Sequence, residues 1–354
     1  MFGFSKSGKG LIGVDITSAT VKLVELKRSG QHYRVDSYAV RPLCEGAVVE
    51  RRIRQMDEVV DAIRRAVDHA RPHSLRTAVA LPASAAITKT LTLPASLSDE
   101  EIEARIERVS DRHIPFPFSE VAFDFQRLGL NAGFGDQQDV LLIACRQQDI
   151  SRLTDVVLQA GLEPASVDVE TFAMERAFGE LRNQLPLQPD SQECVALMDI
   201  GMNMNTFHVL REGRIIYSRD NASGGRQLTD AIRERYGLSM EEAGLAKKRG
   251  GLPNDYPDSV LKPFRDTLLQ QISRSLQLYH AAGRNPEVNR MILAGGSSII
   301  PGFSDRVAAE SGMDVVVANP FVRMRINPRI DIHTLANDAP AMLTACGLAM
   351  RSSS

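Results

Sequence analysis

Three short stretches of this 354-residue chain carry residue types suited to holding a phosphate chain and a divalent cation. The first is Asp15 followed by Ser18, Thr20 and Lys22: a carboxylate, two hydroxyls and an ammonium around one turn. The second is Asp199 followed by Gly201, Asn203, Asn205 and Thr206. The third is Gly295-Gly296-Ser297-Ser298, a glycine pair after an apolar run. A polyphosphate needs its charge met by backbone N–H groups in tight turns and by a metal, which a carboxylate holds directly or through water. Glycines let a flat ring or a ribose approach the backbone closely. Taken singly, each aspartate is as readily a turn stabiliser and the glycine pair a plain turn. Their joint occurrence in this order points to a nucleotide site. There is no G-x-x-x-x-G-K-[ST] and no G-x-G-x-x-G after a strand, which removes the P-loop and Rossmann readings. His69 and His73 have helical spacing, but Pro72 between them argues against zinc.

The elements that must position these residues follow from the apolar pattern. Leu11–Ile16 and Val21–Leu26 read as a hairpin and Tyr33–Val40 as a third strand. Val59, Ile63, Ala66, Val67 and Ala70 recur at helical spacing. Thr77–Leu81 and Ile87–Leu93 are strands. Ser98-Asp99-Glu100-Glu101 has the pattern of a capping box, with Ile102, Ile106 and Val109 on the apolar face of the helix it starts. Strands at Val121–Leu128 and Val140–Cys145 and a helix through Ile150, Leu153, Val157 and Ala160 complete a compact α+β insert, roughly 86–165. A strand near Val167–Val169 and a helix from Thr171 follow, and Leu185–Ser191 reads as a linker. Beyond it, Val195–Ile200, Thr206–Leu210 and Arg214–Ser218 are strands, followed by three helices, the last with Leu261, Phe264, Leu268, Ile272, Leu276 and Tyr279 on one face. Met291–Ala294 and Asp314–Val317 are strands around a helix at Gly302–Ser311, and an alanine-rich helix closes the chain near Ala339–Arg351. Leu11-Ile12-Gly13-Val14-Asp15-Ile16 and Val195-Ala196-Leu197-Met198-Asp199-Ile200 echo one another about half the chain apart. That echo predicts two similar domains facing each other across a cleft.

Composition narrows the function classes. Lys+Arg 42 against Asp+Glu 44 leaves a net charge of −2, which argues against a general nucleic-acid binder. Aromatics are 5% and Trp is absent, so the core must be aliphatic. Cys44, Cys145, Cys194 and Cys346 form no C-x-x-C pair and read as reduced thiols of a cytoplasmic protein. No stretch approaches the ~20 apolar residues of a membrane span. Asp15 interrupts the first apolar run too early for a signal peptide. Membrane association would then come through a partner or a surface patch.

Read together, these motifs resemble the actin/Hsp70/sugar-kinase superfamily and, within it, the PilM family of type IV pilus assembly. The carriers are Gly13 through Leu23; Ile114-Pro115-Phe116-Pro117-Phe118 with Asp139 through Arg146; Val167-Asp168-Val169-Glu170; Asp199-Ile200-Gly201 through Tyr217; Gly224-Gly225-Arg226-Gln227-Leu228-Thr229; and Ala294-Gly295-Gly296-Ser297. The resemblance implies an α/β, actin-like (ribonuclease H-like) two-domain fold with an FtsA-like α+β insert. Domain 1 would comprise 1–85, 166–190 and 336–354, the insert 86–165, and domain 2 191–335. It implies ATP and Mg²⁺ as ligands: Asp15 and Asp199 at the metal, Ser18, Thr20 and Lys22 on the phosphates, Gly201, Asn205 and Thr206 lining the second loop, Lys247 near the ribose, and Gly295, Gly296 and Ser297 at the adenosine. Glu170 falls where hydrolysing relatives place the attacking water.

Departures temper the enzyme reading. Thr17 and Asn203 stand where many relatives have Gly, and Gly244 replaces the Glu of an A-E-x-x-K stretch. Binding with slow or absent hydrolysis is the expectation. Ala173 and Ala177, with Ala341, Ala345 and Gly347, suggest a close helix crossing at a hinge. The implied role is a scaffold at the inner-membrane face, gripping the N-terminal cytosolic tail of a PilN-like single-span protein. Contact with the pilus motor ATPases and self-association are compatible with it. No nucleic acid and no direct membrane insertion are expected. The alternatives are an FtsA-like filament protein, disfavoured because the chain stops at Arg351-Ser352-Ser353-Ser354 without an amphipathic membrane helix, and a small-molecule kinase, disfavoured by length. Lys247-Lys248-Arg249 reads as a solvated helix end, and Phe116 and Phe118 as packing within the insert.

Overall fold

The structure is a computed structural model that describes residues 10–353 apart from 31, 132, 183–193 and 284–285. The stretch read as a linker, 185–191, lies outside the described residues. By contact density the chain forms two units. One comprises 1–27, 36–173 and 347–354; the other comprises 28–35 and 174–346.

The first unit opens with β1 (Ile12–Ile16), β2 (Thr20–Ser29) and β3 (His32–Pro42). A small hairpin follows, β4 (Val48–Val49) and β5 (Arg52–Ile53), then α1 (Met56–Ala70) and β6 (Arg76–Leu81). β7 (Ala86–Pro94), α2 (Asp99–His113), β8 (Val121–Asn131) and β9 (Phe134–Arg146) make the insert, and α3 (Gln147–Gln159) and β10 (Glu163–Val169) return to the main sheet. The ladder runs β3-β2-β1-β6-β10, with a short sixth strand, Arg325–Ile326, beside β3; β1–β2 is antiparallel and β1, β6 and β10 are parallel. Alternate strand residues serve opposite faces. Ile12, Val14, Leu23, Val79 and Leu81 are buried with Val59, Ile63 and Ala66 of α1 and Leu153, Val156 and Val157 of α3. Leu11 and Ala78, on the other face, pack with Ala173 and Leu348.

The insert sheet is β7-β9-β8. Its own core is Leu91, Leu93, Ile102, Ile106, Val140 and Leu142. Ser98 and Glu101 form the capping box read from the sequence. The helix of the insert reading that follows β9, α3, joins the core of the main sheet instead. Its apolar stripe is matched by α1, and periodicity does not reveal which sheet a stripe faces. Phe116 and Phe118 are half-buried: the Arg146 guanidinium lies 4.0 Å over the Phe116 ring, and Phe118 contacts Phe123.

The helix α4 (Glu170–Arg182) leads into the second unit, which holds β11 (Cys194–Ile200), β12 (Asn205–Arg211) and β13 (Arg214–Asn221). Then come α5 (Gly225–Tyr236), α6 (Met240–Arg249) and α7 (Lys262–Ala281), the last preceded by a π-helical turn, Pro257–Leu261. β14 (Val288–Ala294), α8 (Phe303–Ser311), β15 (Asp314–Val317), β16 (Arg325–Ile326), α9 (Ile332–Asp338) and α10 (Leu343–Ala349) complete the chain. Pro340 sits in a 3₁₀ turn that separates α9 from α10, and α10 falls within the terminal helix read near Ala339–Arg351. The sheet order is β13-β12-β11-β14-β15, with β11–β12 antiparallel and β11, β14 and β15 parallel. Residues 28–35 are counted here because β16 pairs with Arg34 and Val35. Ala196, Met198, Ile200, Phe207 and Leu293 pack with Leu268 and Ile272 of α7 on one face. On the other, Val195, Leu197, Ile292 and Ala294 pack with Met174, Ala177, Phe178 and Leu181 of α4. That packing draws the end of α4 into this unit, so the division by contact falls at Ala173 and Cys346 rather than at 190 and 336.

Candidate functional site

In open α/β sheets, ligands bind outside the carboxyl ends of parallel strands. In the first unit those ends carry Asp15, the turn after Leu81, and Glu170. Asp15 and Lys22 are register partners on β1 and β2, and Lys22 Nζ donates to Asp15 Oδ2 at 2.8 Å. The turn between them closes through Thr17, whose N–H donates to the Thr20 carbonyl at 3.0 Å while its hydroxyl accepts the Thr20 N–H at 3.2 Å. Thr17 does not have a positive φ, so its backbone makes no demand for Gly at this position. Ser18 sits at the turn, half-exposed. Glu170 is the first residue of α4; its Oε1 accepts the Ala83 N–H at 2.9 Å and also pairs with the Arg51 guanidinium.

The second unit repeats the plan with different chemistry. Asp199 faces Thr206 across the β11–β12 ladder, as Asp15 faces Lys22. Thr206 Oγ1 donates to Asp220 Oδ1 at 2.8 Å. The turn after Ile200 is built on contacts that exclude side chains. A Cβ on Gly201 would lie 2.6 Å from the Met204 carbonyl oxygen, and one on Gly224 would lie 2.5 Å from the carbonyl oxygens of Gly201 and Met202. The Gly225 and Arg226 N–H groups at the start of α5 donate to those same two carbonyls at 2.9 and 2.8 Å. Gly295 has φ +84°, and a Cβ there would overlap Asp199 Oδ1 and the Ile200 carbonyl. Ser297 N–H reaches the Ile200 carbonyl at 3.2 Å. Gly296 has open space around it.

Lys247 is not part of a solvated helix end, unlike exposed Lys248 and Arg249. Its Nζ donates to the Gly225 carbonyl at 2.6 Å. Burial first, and the Lys248 charge second, push its ammonium down to about 8. Asp199, Gly201, Lys247, Gly295 and Ser297 thus gather around Ile200 and Gly225. Asn205 does not join them: it is fully buried, and its amide donates to Ser223 Oγ at 3.2 Å and to Gln271 Oε1 of α7 at 3.0 Å. Sequence reasoning missed Arg51 and Asp220. Arg51 is 119 residues from its partner, and only the strand register brings Asp220 beside Thr206. Gly224 and Gly225 belonged to a quoted motif, but their packing role has no signature beyond the glycine pair.

No group of three or more His, Cys, Asp or Glu side chains able to hold a metal occurs among the described residues. A hydrated Mg²⁺ needs only one or two carboxylates plus phosphate oxygens, and the oxygen donors Asp199, Thr206 and Asp220 fit that demand. Asp15 fits it less directly, because Lys22 already neutralises it.

Two sheets of matching order, each with a carboxylate-bearing hairpin at the carboxyl ends of its parallel strands, define an actin-like α/β two-domain protein with an α+β insert. Residues 13–353 match the family described as type IV pilus assembly protein PilM. The chain belongs to that family. Among solved structures it is similar to a PilM-PilN type IV pilus biogenesis complex, with 26% identity, a TM-score of 0.78, and 98% of this chain and 100% of that chain covered. It is also similar to the ethanolamine utilization protein EutJ from Carboxydothermus hydrogenoformans, with 15% identity, a TM-score of 0.54, and coverage of 98% and 90%. No helix among the described residues is long and apolar enough to cross a membrane.

Proposed function

We propose that this protein is a nucleotide-binding scaffold of the type IV pilus inner-membrane platform, holding Mg-ATP on the loops at the carboxyl ends of its two sheets. The observation that carries this reading is the repeated register, Asp15 opposite Lys22 and Asp199 opposite Thr206, on two sheets of the same order. Asp199 serves as the main metal-facing carboxylate, with Asp15 acting through Lys22. Ser18, Thr20 and Lys22 meet phosphate from the first turn. Gly201, Thr206, Gly295, Gly296 and Ser297 shape the second, and Lys247 holds the start of α5 against it. Asn205 supports the second loop from beneath.

The partner is a PilN-like single-span protein, gripped by its N-terminal cytosolic tail, which places the scaffold at the cytoplasmic face of the inner membrane. The support is the similarity to a structure described as a PilM-PilN complex. The domain division of the sequence reading, with the close approach of α4 and α10 that Ala173 and Gly347 suggest, is part of the same proposal. Gly347 supports it, because a Cβ there would overlap the Ala173 carbonyl. The test is copurification from membranes with and without Mg-ATP, identifying both the nucleotide and the membrane protein retained. Recovery of ATP together with a single-span pilus platform protein is expected. A preparation that retains neither overturns the reading.

A further inference from the structure

The contact between Arg51 and Glu170 bears on turnover, given the nucleotide-site reading above and the water-placing role that the family resemblance implies for Glu170. Arg51 sits in the two-residue turn between β4 and β5. Glu50 and Arg51 both have positive φ, 50° and 61°. Such turns ordinarily take Asn or Gly at these positions, because a side chain in the left-handed region costs about 1–2 kcal/mol. Here two long charged residues are held there instead, and one of them reaches Glu170.

Three features converge on that carboxylate. It is the first residue of α4, where the helix terminus favours negative charge. Its Oε1 accepts the Ala83 N–H at 2.9 Å from the turn that ends β6. The same oxygen pairs with the Arg51 guanidinium, the side chains on both sides being about a quarter exposed. A carboxylate that orients an attacking water must accept a hydrogen bond from it and take up its proton as the transition state forms. An oxygen already bonded to two fixed donors, with its charge met by a guanidinium, is poorly placed to do either.

We infer that Arg51 is a brake: a positioning residue that ties up Glu170, so that the protein holds nucleoside triphosphate without turning it over.

The experiment compares wild type, Arg51→Ala, Arg51→Lys and Arg51→Ala/Glu170→Gln. It measures Mg-ATP affinity by calorimetry and single-turnover hydrolysis with excess protein, after thermal melting has shown each variant folded. Arg51→Ala should hydrolyse at least about tenfold faster than wild type at an affinity within about twofold. The double variant should return to the wild-type rate, and Arg51→Lys, which keeps the charge but not the planar fork, should fall between. Arg51→Ala that binds Mg-ATP like wild type and hydrolyses no faster overturns the brake. A slower Arg51→Ala overturns it too, since it would make Arg51 a catalytic aid. If wild type and variants alike fail to bind Mg-ATP, the nucleotide-site reading is what has failed, and the brake falls with it.

Discussion

The two sheets share strand order and register yet finish their hairpins differently. In the first, the residue opposite the aspartate is Lys22, which closes an ion pair with Asp15 at 2.8 Å. In the second it is Thr206, whose hydroxyl goes to Asp220. The strand beside β1 ends in Leu81-Pro82-Ala83, where the Ala83 N–H serves Glu170; the strand beside β11 ends in Ala294-Gly295-Gly296, where the Gly295 N–H donates to the Pro340 carbonyl at 2.8 Å. One plan thus yields a turn closed by an ion pair on one side and a glycine-packed turn beside Asp199, Thr206 and Asp220 on the other. In the proposed function the first would meet the phosphate chain and the second the hydrated metal and the flat ring.

The largest effect that would sharpen this contrast is steric. Gly295→Ala should cost the second unit about 3 kcal/mol in urea unfolding and abolish nucleotide binding, because the added methyl overlaps Asp199 and Ile200 and the backbone is left-handed. Gly296→Ala, with nothing nearby, should stay within about 0.5 kcal/mol. Equal costs at the two positions would mean the turn is looser than drawn.

The next effect is electrostatic and belongs to the second unit alone. Lys247 releases its proton near 8 in the folded chain, against 10.5 in the unfolded one. Between those values the unfolded chain holds a proton that the folded one has lost, so stability rises as pH goes from 8 to 10.5. The rise is about 2 kcal/mol once partial exposure is allowed for. Lys247→Met should flatten this part of the curve; an unchanged slope would show that the ammonium is solvated.

The two aspartates give the most direct comparison. Asp199→Asn should weaken Mg-ATP binding at least about tenfold, or about 1.4 kcal/mol. Asp15→Asn should cost only about threefold, because it releases Lys22 to the phosphates. Reversed magnitudes would move the metal to the first hairpin.

The smallest effects test whether the units are equally well capped. Ser98→Ala and Ser239→Ala each remove a reciprocal capping box and should each cost about 1 kcal/mol in thermal unfolding.

Much of this was legible beforehand for identifiable reasons. Apolar runs ending in Asp-Ile marked β1 and β11, and Ser98-Asp99-Glu100-Glu101 marked the start of α2. β16 and α9 were not legible. In their segment the Phe321, Arg329 and His333 N–H groups donate to the side chains of Asn319, Asn327 and Asp331, and such polar positions leave no apolar period. The packing of α3 on the main sheet and the reach of Arg51 to Glu170 were hidden for a related reason: each depends on which surfaces meet, and sequence spacing is silent on that. At the proposed site, Asp15, Lys22, Asp199, Gly201 and Gly295 were named from type and order, and the structure sets them in the hairpins and turns at the carboxyl ends of the two sheets' parallel strands. Asn205 could not be placed, because its burial against Gln271 depends on the position of α7.

The account's central claim is that the second hairpin's oxygen donors make nucleotide binding depend on the metal. Calorimetric titration of ATP into the full chain, with Mg²⁺ present and then with it chelated, tests this directly. The expected result is saturable one-to-one binding that weakens at least about tenfold without Mg²⁺. ATP affinity indifferent to the metal, or no binding in either condition, would contradict it.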